Sequence, residues 1–153
     1  MNAVIKAGIA AGVVGGALGL AAAMTIYPAM GGFALIRAPQ SVASGVMGGA
    51  AYEGGVATAL YGAGLHFFIA VFAGLTLAAA MSLYEPLRRM VFATGVVFGG
   101  AMYVFMNHVV APLSRAVVGE PDATGIVIGV LIHFFLFGVP MAYVARRLLT
   151  AKG

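Results

Sequence analysis

Four stretches of the chain contain no Lys, Arg, Asp or Glu over at least a membrane thickness: Ala7 to Ile36, Gly54 to Tyr84, Met90 to Ser114, and Ala123 to Ala145. Apolar runs of this length read as transmembrane helices, about 20 residues being enough to cross the hydrocarbon core. Pro28, Pro86, Pro112 and Pro121 punctuate their ends. The pattern predicts spans at about 4–27, 58–83, 90–113 and 123–147. The expected fold class is all-α: an integral membrane four-helix bundle, one domain over 1–153. The outer loop 28–57 is long and Gly-rich, with Arg37 and Glu53 as its only charges. It is too apolar to float in water, so a short helix around Gln40 to Met47 is expected at the outer interface or dipping into the bundle mouth. An interfacial connector and a lid over a site are the two readings of that segment.

Composition agrees. The 153 residues are 63% hydrophobic and 8% charged, against about 25% charged residues in a soluble domain, so the chain cannot coat itself with a solvated surface. The absence of cysteine excludes disulfides, thiolate metal sites, iron–sulfur clusters and covalently attached haem. A net charge of +4 raises the question of nucleic acid. The basic residues, however, occur singly or in pairs and form no stripe interleaved with aromatics, so no nucleic-acid partner is expected.

The basic residues do carry an orientation. Lys6, Arg88, Arg89, Arg146, Arg147 and Lys152 fall on one side of the predicted spans, and Arg37 and Arg115 on the other, beside Glu53, Glu120 and Asp122. Positive charge near short loops stays cytoplasmic, so both termini are expected inside a bacterial inner membrane. Trp is absent; Tyr27 and Tyr61 at the outer ends and Tyr84 and Tyr143 at the inner ends would supply the interfacial belts. A rival reading makes the first helix a cleaved leader, since Lys6, an apolar run and Ala21-Ala22-Ala23 imitate a signal peptide. Continuation of the run to Tyr27 favours a retained helix.

Glycine spacing predicts how the helices meet. Gly8, Gly12 and Gly16 recur every four residues, as do Gly95 with Gly99 and Gly125 with Gly129, and small residues at this spacing mark packing faces in lipid. Packing within the chain and homodimerisation through the first helix are both open, as is membership of a larger membrane complex. Helices 2 and 4 also share a pattern: Gly62-Ala63-Gly64-Leu65-His66-Phe67-Phe68-Ile69 against Gly129-Val130-Leu131-Ile132-His133-Phe134-Phe135-Leu136. Helices 1 and 3 echo each other more faintly. The expectation is a duplicated helix hairpin with a parallel pseudo-twofold along the membrane normal, which would make His66 and His133 equivalent.

Intramembrane ionisable residues are costly, which singles out His66, His133 and His108 as candidate cofactor-binding residues. At 1.5 Å per residue they lie roughly 12, 15 and 8 Å below the outer surface, all in one half of the bilayer. A glycine one turn before His66 and His133 leaves space beside each ring for a flat cofactor, a neighbouring backbone or a hydrogen-bond partner. Pro112 lacks an N–H and frees the carbonyl of His108. Three readings of His66 and His133 stand together: helix glue through hydrogen bonds to a neighbouring helix, an axial pair for haem b with Arg37 or Arg115 near its propionates, or a metal or proton relay. Met24, Met102 and Met106 at similar depth would suit a soft metal. His108, near the interface, reads as solvated or capping. The carboxylates Glu53, Glu85, Glu120 and Asp122 all lie in loops, Asp122 as a helix N-cap, and no nucleophile–base or phosphate-loop pattern occurs, so no enzyme is expected.

Gly64-Leu65-His66, the run Met106-Asn107-His108-Val109-Val110-Ala111-Pro112-Leu113-Ser114, and His133 followed by Arg146-Arg147 resemble the YagU-like small bacterial inner-membrane proteins. That group is similar in having a histidine in each of these three helices and a closing arginine pair. The likeness covers about 60–147 and implies the same membrane topology. It implies no mechanism, because the group has no established biochemical activity.

Overall fold

A computed structural model describes residues 3–30, 34–117, 119 and 122–151; Glu120, Pro121 and Lys152 lie outside the described residues. Four helices are long and apolar enough to cross a membrane: α1 (Ala3–Ala29), α3 (Gly55–Leu83), α5 (Val91–Leu113) and α6 (Ala123–Thr150). Two shorter helices join them, α2 (Arg37–Met47) between α1 and α3, and α4 (Glu85–Arg89) between α3 and α5. Asp122 caps α6, its Oδ1 accepting from the Gly125 amide at 2.8 Å, which satisfies one of the amides a helix start leaves without an intrahelical partner.

The bundle is assembled on backbone contacts. Lipid tails are as apolar as leucine, so burying apolar surface gives helices little reason to associate, and close packing has to supply the attraction. On α1, the positions a Cβ would occupy at Gly8 and Gly12 lie 2.6 Å from the Leu75 Cα and 2.5 Å from the Val71 Cα of α3. In return, a Cβ on Gly74 would lie 2.6 Å from the Gly12 nitrogen. The opposite flank of α1 meets α6, where a Cβ on Gly15 would lie 2.8 Å from the Phe137 carbonyl. The glycine stripe of α1 is thus consumed inside the chain, and the expected alternative of a homodimer through that face is not available to it. Ala7, Ala11, Leu77, Ala78, Met81, Met141, Ala142 and Ala145 fill the core around these contacts.

The pair α5/α6 repeats the contact. Gly138 stands against the Gly99 nitrogen and Cα as Gly74 stands against those of Gly12, and Gly95 meets the Val139 Cα as Gly8 meets that of Leu75. The register nevertheless differs from the one that His-Phe-Phe predicts. Gly12 faces the Ala70 carbonyl, whereas Gly99 faces the His133 carbonyl, so His133 corresponds to Ala70 and His66 to Gly129. Six residues take α6 from His133 to Val139 where five take α3 from Ala70 to Leu75. The extra residue sits in a π-helical stretch, Ile132–Gly138.

Proline explains where the π turns fall. Pro140 follows that stretch by two residues, and Pro112 follows the second one, Met106–Val110, by the same interval. A ring without an N–H cannot close the normal four-residue bond, and the turn before it widens. The Ala111 amide accordingly reaches back to Met106, and the Val139 amide to Phe134.

The packing as a whole does not follow a twofold. Helix α1 packs on both α3 and α6, but α5 packs on α6 and α4 with no comparable face against α3 among the described residues. The outer flank of α3 is instead taken by α2, where Gly62 admits the Pro39 carbonyl against the helix. Helix α5 is consequently the most exposed span, with only Val91, Thr94, Gly95 and Gly99 buried.

Substitution tests this assembly directly. Gly12→Ala and Gly99→Ala should each destabilise the detergent-purified protein by about 1–3 kcal/mol through overpacking. Gly64→Ala, where nothing lies within 4 Å, should be neutral or slightly stabilising because Ala is the better helix former. Thermal or denaturant unfolding measures the difference, and equal effects at the three sites would contradict the backbone-contact account.

Candidate functional site

Within the segment expected to be a connector or lid, α2 and the residues after it are tied to their neighbours. Gln40, 2% exposed, donates from Nε2 to the Gly55 carbonyl at 3.0 Å and to Thr58 Oγ1 at 3.2 Å. Ser44 Oγ donates to the Ser41 carbonyl at 2.7 Å and accepts from the Val117 amide at 3.1 Å. The Arg115 amide donates to the Gly45 carbonyl at 2.9 Å, and Tyr52 Oη to the Val117 carbonyl at 2.6 Å. Buried polar groups need partners, and these few polar residues in an apolar loop tie α2 to the start of α3 and to the end of α5. Arg37 lies over the Tyr52 ring, 4.6 Å from its centroid.

Beneath this outer layer lie two of the three histidines. His66 is partly buried and its Nε2–H donates across to the Gly16 carbonyl of α1 at 3.0 Å. His133, also partly buried, donates from Nδ1 to the Gly129 carbonyl of its own helix at 2.8 Å. Since a carbonyl only accepts, each bond assigns the tautomer: His66 keeps its lone pair on Nδ1 and His133 on Nε2. Both adjoin α1, His66 through its bond to Gly16 and His133 through Phe137, which packs beside Gly19, and they make no direct bond to each other. His108 stands apart, exposed on α5, with Nδ1 against the Val104 carbonyl at 3.2 Å. Of the three candidates, then, the fold brings His66 and His133 into one neighbourhood and leaves His108 on the surface.

Aromatic rings complete that neighbourhood. Tyr103 of α5 meets His133 edge-on, centroids 5.3 Å apart, and the Phe137 ring lies 5.7 Å from that of His133. Tyr27 is turned inward rather than standing in an outer belt: its Oη lies 3.3 Å from where a Gly129 Cβ would be, with the Tyr103 ring 2.9 Å from the same point. Tyr61, Tyr84 and Tyr143 are exposed, as belt residues are. Tyr103 was not singled out from the sequence; its place one turn before Asn107, which donates from Nδ2 to the Tyr103 carbonyl at 2.8 Å, gives no signal of what its ring touches.

The space expected beside each histidine is filled. At Gly62 it holds the Pro39 backbone of α2, and at Gly129 the Tyr103 ring and Tyr27 hydroxyl. The edge of a flat macrocycle does not fit between them, so the residues present do not match a bis-histidine haem b site. Among the described residues no three His, Asp or Glu side chains come together as a metal-binding group.

Compared with known proteins, the chain matches no family model, no curated protein and no solved structure.

The bond from His66 joins two helices, the bond from His133 stays within one, and that of His108 lies at the surface. His66→Ala should therefore cost about 1 kcal/mol of stability in detergent, the range of interhelical hydrogen bonds in membranes, His133→Ala less through this bond, and His108→Ala nothing measurable. Unfolding of the three variants under one set of conditions ranks them, and a His108 variant as damaged as His66→Ala would refute the assignment.

Proposed function

We propose that this chain is a non-enzymatic, multi-pass membrane protein acting as a packing or accessory subunit, in which His66 fastens α3 to α1. The observation that carries the reading is the 3.0 Å bond from His66 Nε2 to the Gly16 carbonyl. It lies in line with the Gly8, Gly12 and Gly16 contacts and continues that seam toward the outer half, where a polar side chain in lipid needs a partner in any case. Thr94 does similar work, its Oγ1 donating to the Leu87 carbonyl at 2.9 Å and holding α5 to the α4 turn, whereas Thr25, Thr76 and Asn107 bond back to their own helices.

The proposal includes a bacterial inner-membrane location with both termini cytoplasmic, supported by Lys6 near the start of α1, Arg88 and Arg89 in α4, and Arg146 and Arg147 near the end of α6. It also includes a two-hairpin origin, supported by the matching glycine contacts of α1/α3 and α5/α6, and kinship with the YagU-like proteins, supported by the His66, His108 and His133 motifs alone.

A second reading, proton or cation transfer, is favoured by one specific feature. His66 and His133 each commit one nitrogen to a carbonyl and keep a lone pair on the other, the arrangement in which a histidine is oriented for a proton or a metal.

Purified protein separates the two readings. The accessory reading expects no Soret band and no stoichiometric metal, and unchanged passive proton flux in vesicles. Metal or proton flux lost in both His66→Ala and His133→Ala would establish the second reading instead. Reporter fusions at both ends should show cytoplasmic activity, and an outward C-terminus would overturn the topology.

A further inference from the structure

At the face opposite the histidines, a shallow depression opens between α4 and the last turns of α6, lined by Glu85, Arg88, Arg89, Arg146 and Thr150. Three guanidinium groups against one carboxylate leave two positive charges in excess. The carboxylate is already engaged: Glu85 Oε1 accepts from Arg89 Nη2 at 2.9 Å and Nε at 3.0 Å. Arg88 turns Nη1 onto the Met81 and Ser82 carbonyls at the end of α3, where cations favour the exposed carbonyl end of a helix. Its Nε and Nη2 remain as donors. Arg146 sits 5.8 Å from the Tyr143 ring centroid with no carboxylate beside it.

The arginines therefore come from two different helices, are held in place by carbonyls, a ring and a carboxylate, and keep donors unspent. Guanidinium forks pair with phosphate oxygens in bidentate fashion. The depth is also set: Leu83, Tyr84 and Met90, 77%, 64% and 64% exposed, border α4 at the end of the hydrophobic spans, where headgroups begin. Apolar surface beside a basic recess at this level suits a molecule with acyl chains and an anionic phosphate. We infer that Arg88, Arg89 and Arg146 form a binding site for the phosphate of an anionic lipid headgroup. The inference needs only that the spans cross a bilayer; it is independent of the role of the histidines and of which face is cytoplasmic.

The test compares thermal unfolding of the detergent-purified full chain with added phosphatidylglycerol, phosphatidylcholine or inorganic phosphate. Phosphatidylglycerol should raise the midpoint by roughly 3 °C or more over phosphatidylcholine. Arg146→Gln and Arg89→Gln should each lose most of that rise, while Lys6→Gln, which removes a charge outside the depression, should keep it. Inorganic phosphate reproducing the rise through the same arginines would support the phosphate site and move its source to the aqueous phase. Equal shifts with phosphatidylcholine, a rise that survives both arginine variants, or an equal loss in Lys6→Gln would overturn the site.

Discussion

Close approach of helix backbones at glycine is the constraint on which this protein rests. A hydrocarbon solvent gives apolar side chains no reason to prefer one another, so the helices are held by dispersion at short range and by the few hydrogen bonds that cross between them. Gly12 against Gly74 and Gly99 against Gly138 bring main chains into direct contact, where no residue with a Cβ can follow without displacing its neighbour. The other features follow from the geometry of those contacts. Helix α1 sits between α3 and α6 because it carries glycine on two flanks, at Gly8, Gly12 and Gly16 and at Gly15 and Gly19.

Polar groups are distributed by the same logic. Once the backbones are close, a few polar side chains reach acceptors on neighbouring elements, while others, such as Thr25, Thr76, Asn107 and His133, bond back to their own helix. His66 reaches Gly16, Thr94 reaches Leu87, and Gln40 reaches Gly55 and Thr58. No buried side-chain nitrogen or oxygen among the described residues lacks a partner. Charge is kept to the two faces, with arginines gathered at the turn between α3 and α5 and the end of α6. The molecule is thus apolar along its spans, linked by a few hydrogen bonds between elements, and basic at one rim.

The π-helical stretches add a local adjustment with long reach. Pro112 and Pro140 each remove an amide, and the widened turns before them hold His108 and His133. In α6 His133 stands where Ala70 stands in α3, a full helical turn on from His66, and the one extra residue of the widened turn accounts for a single position of that four-residue offset. A sequence match of short motifs is blind to such an offset, because the motif is the same whichever backbone it faces. Where the ring of His133 ends, against Tyr103 and Phe137, depends on that winding.

The sequence by itself determined that the chain is membrane-embedded and all-α, because four charge-free runs of spanning length leave no other way to satisfy backbone hydrogen bonds in lipid. It also identified the glycine faces and a short helix around Gln40 to Met47, which the structure starts at Arg37, and it marked His66, His133 and His108 by their cost. Only the tertiary structure decided which glycine meets which backbone, that the stripe on α1 is spent inside the chain, and that α5 lies outside the twofold. It alone placed Tyr27 and Tyr103 in the space beside Gly129 and separated His108 from the other two histidines. Apolar periodicity specifies that a residue lies in lipid or in a packing face, and is silent on the neighbour. Register between helices is settled by contacts among small residues that look alike along the chain, so it exists only once the helices have met.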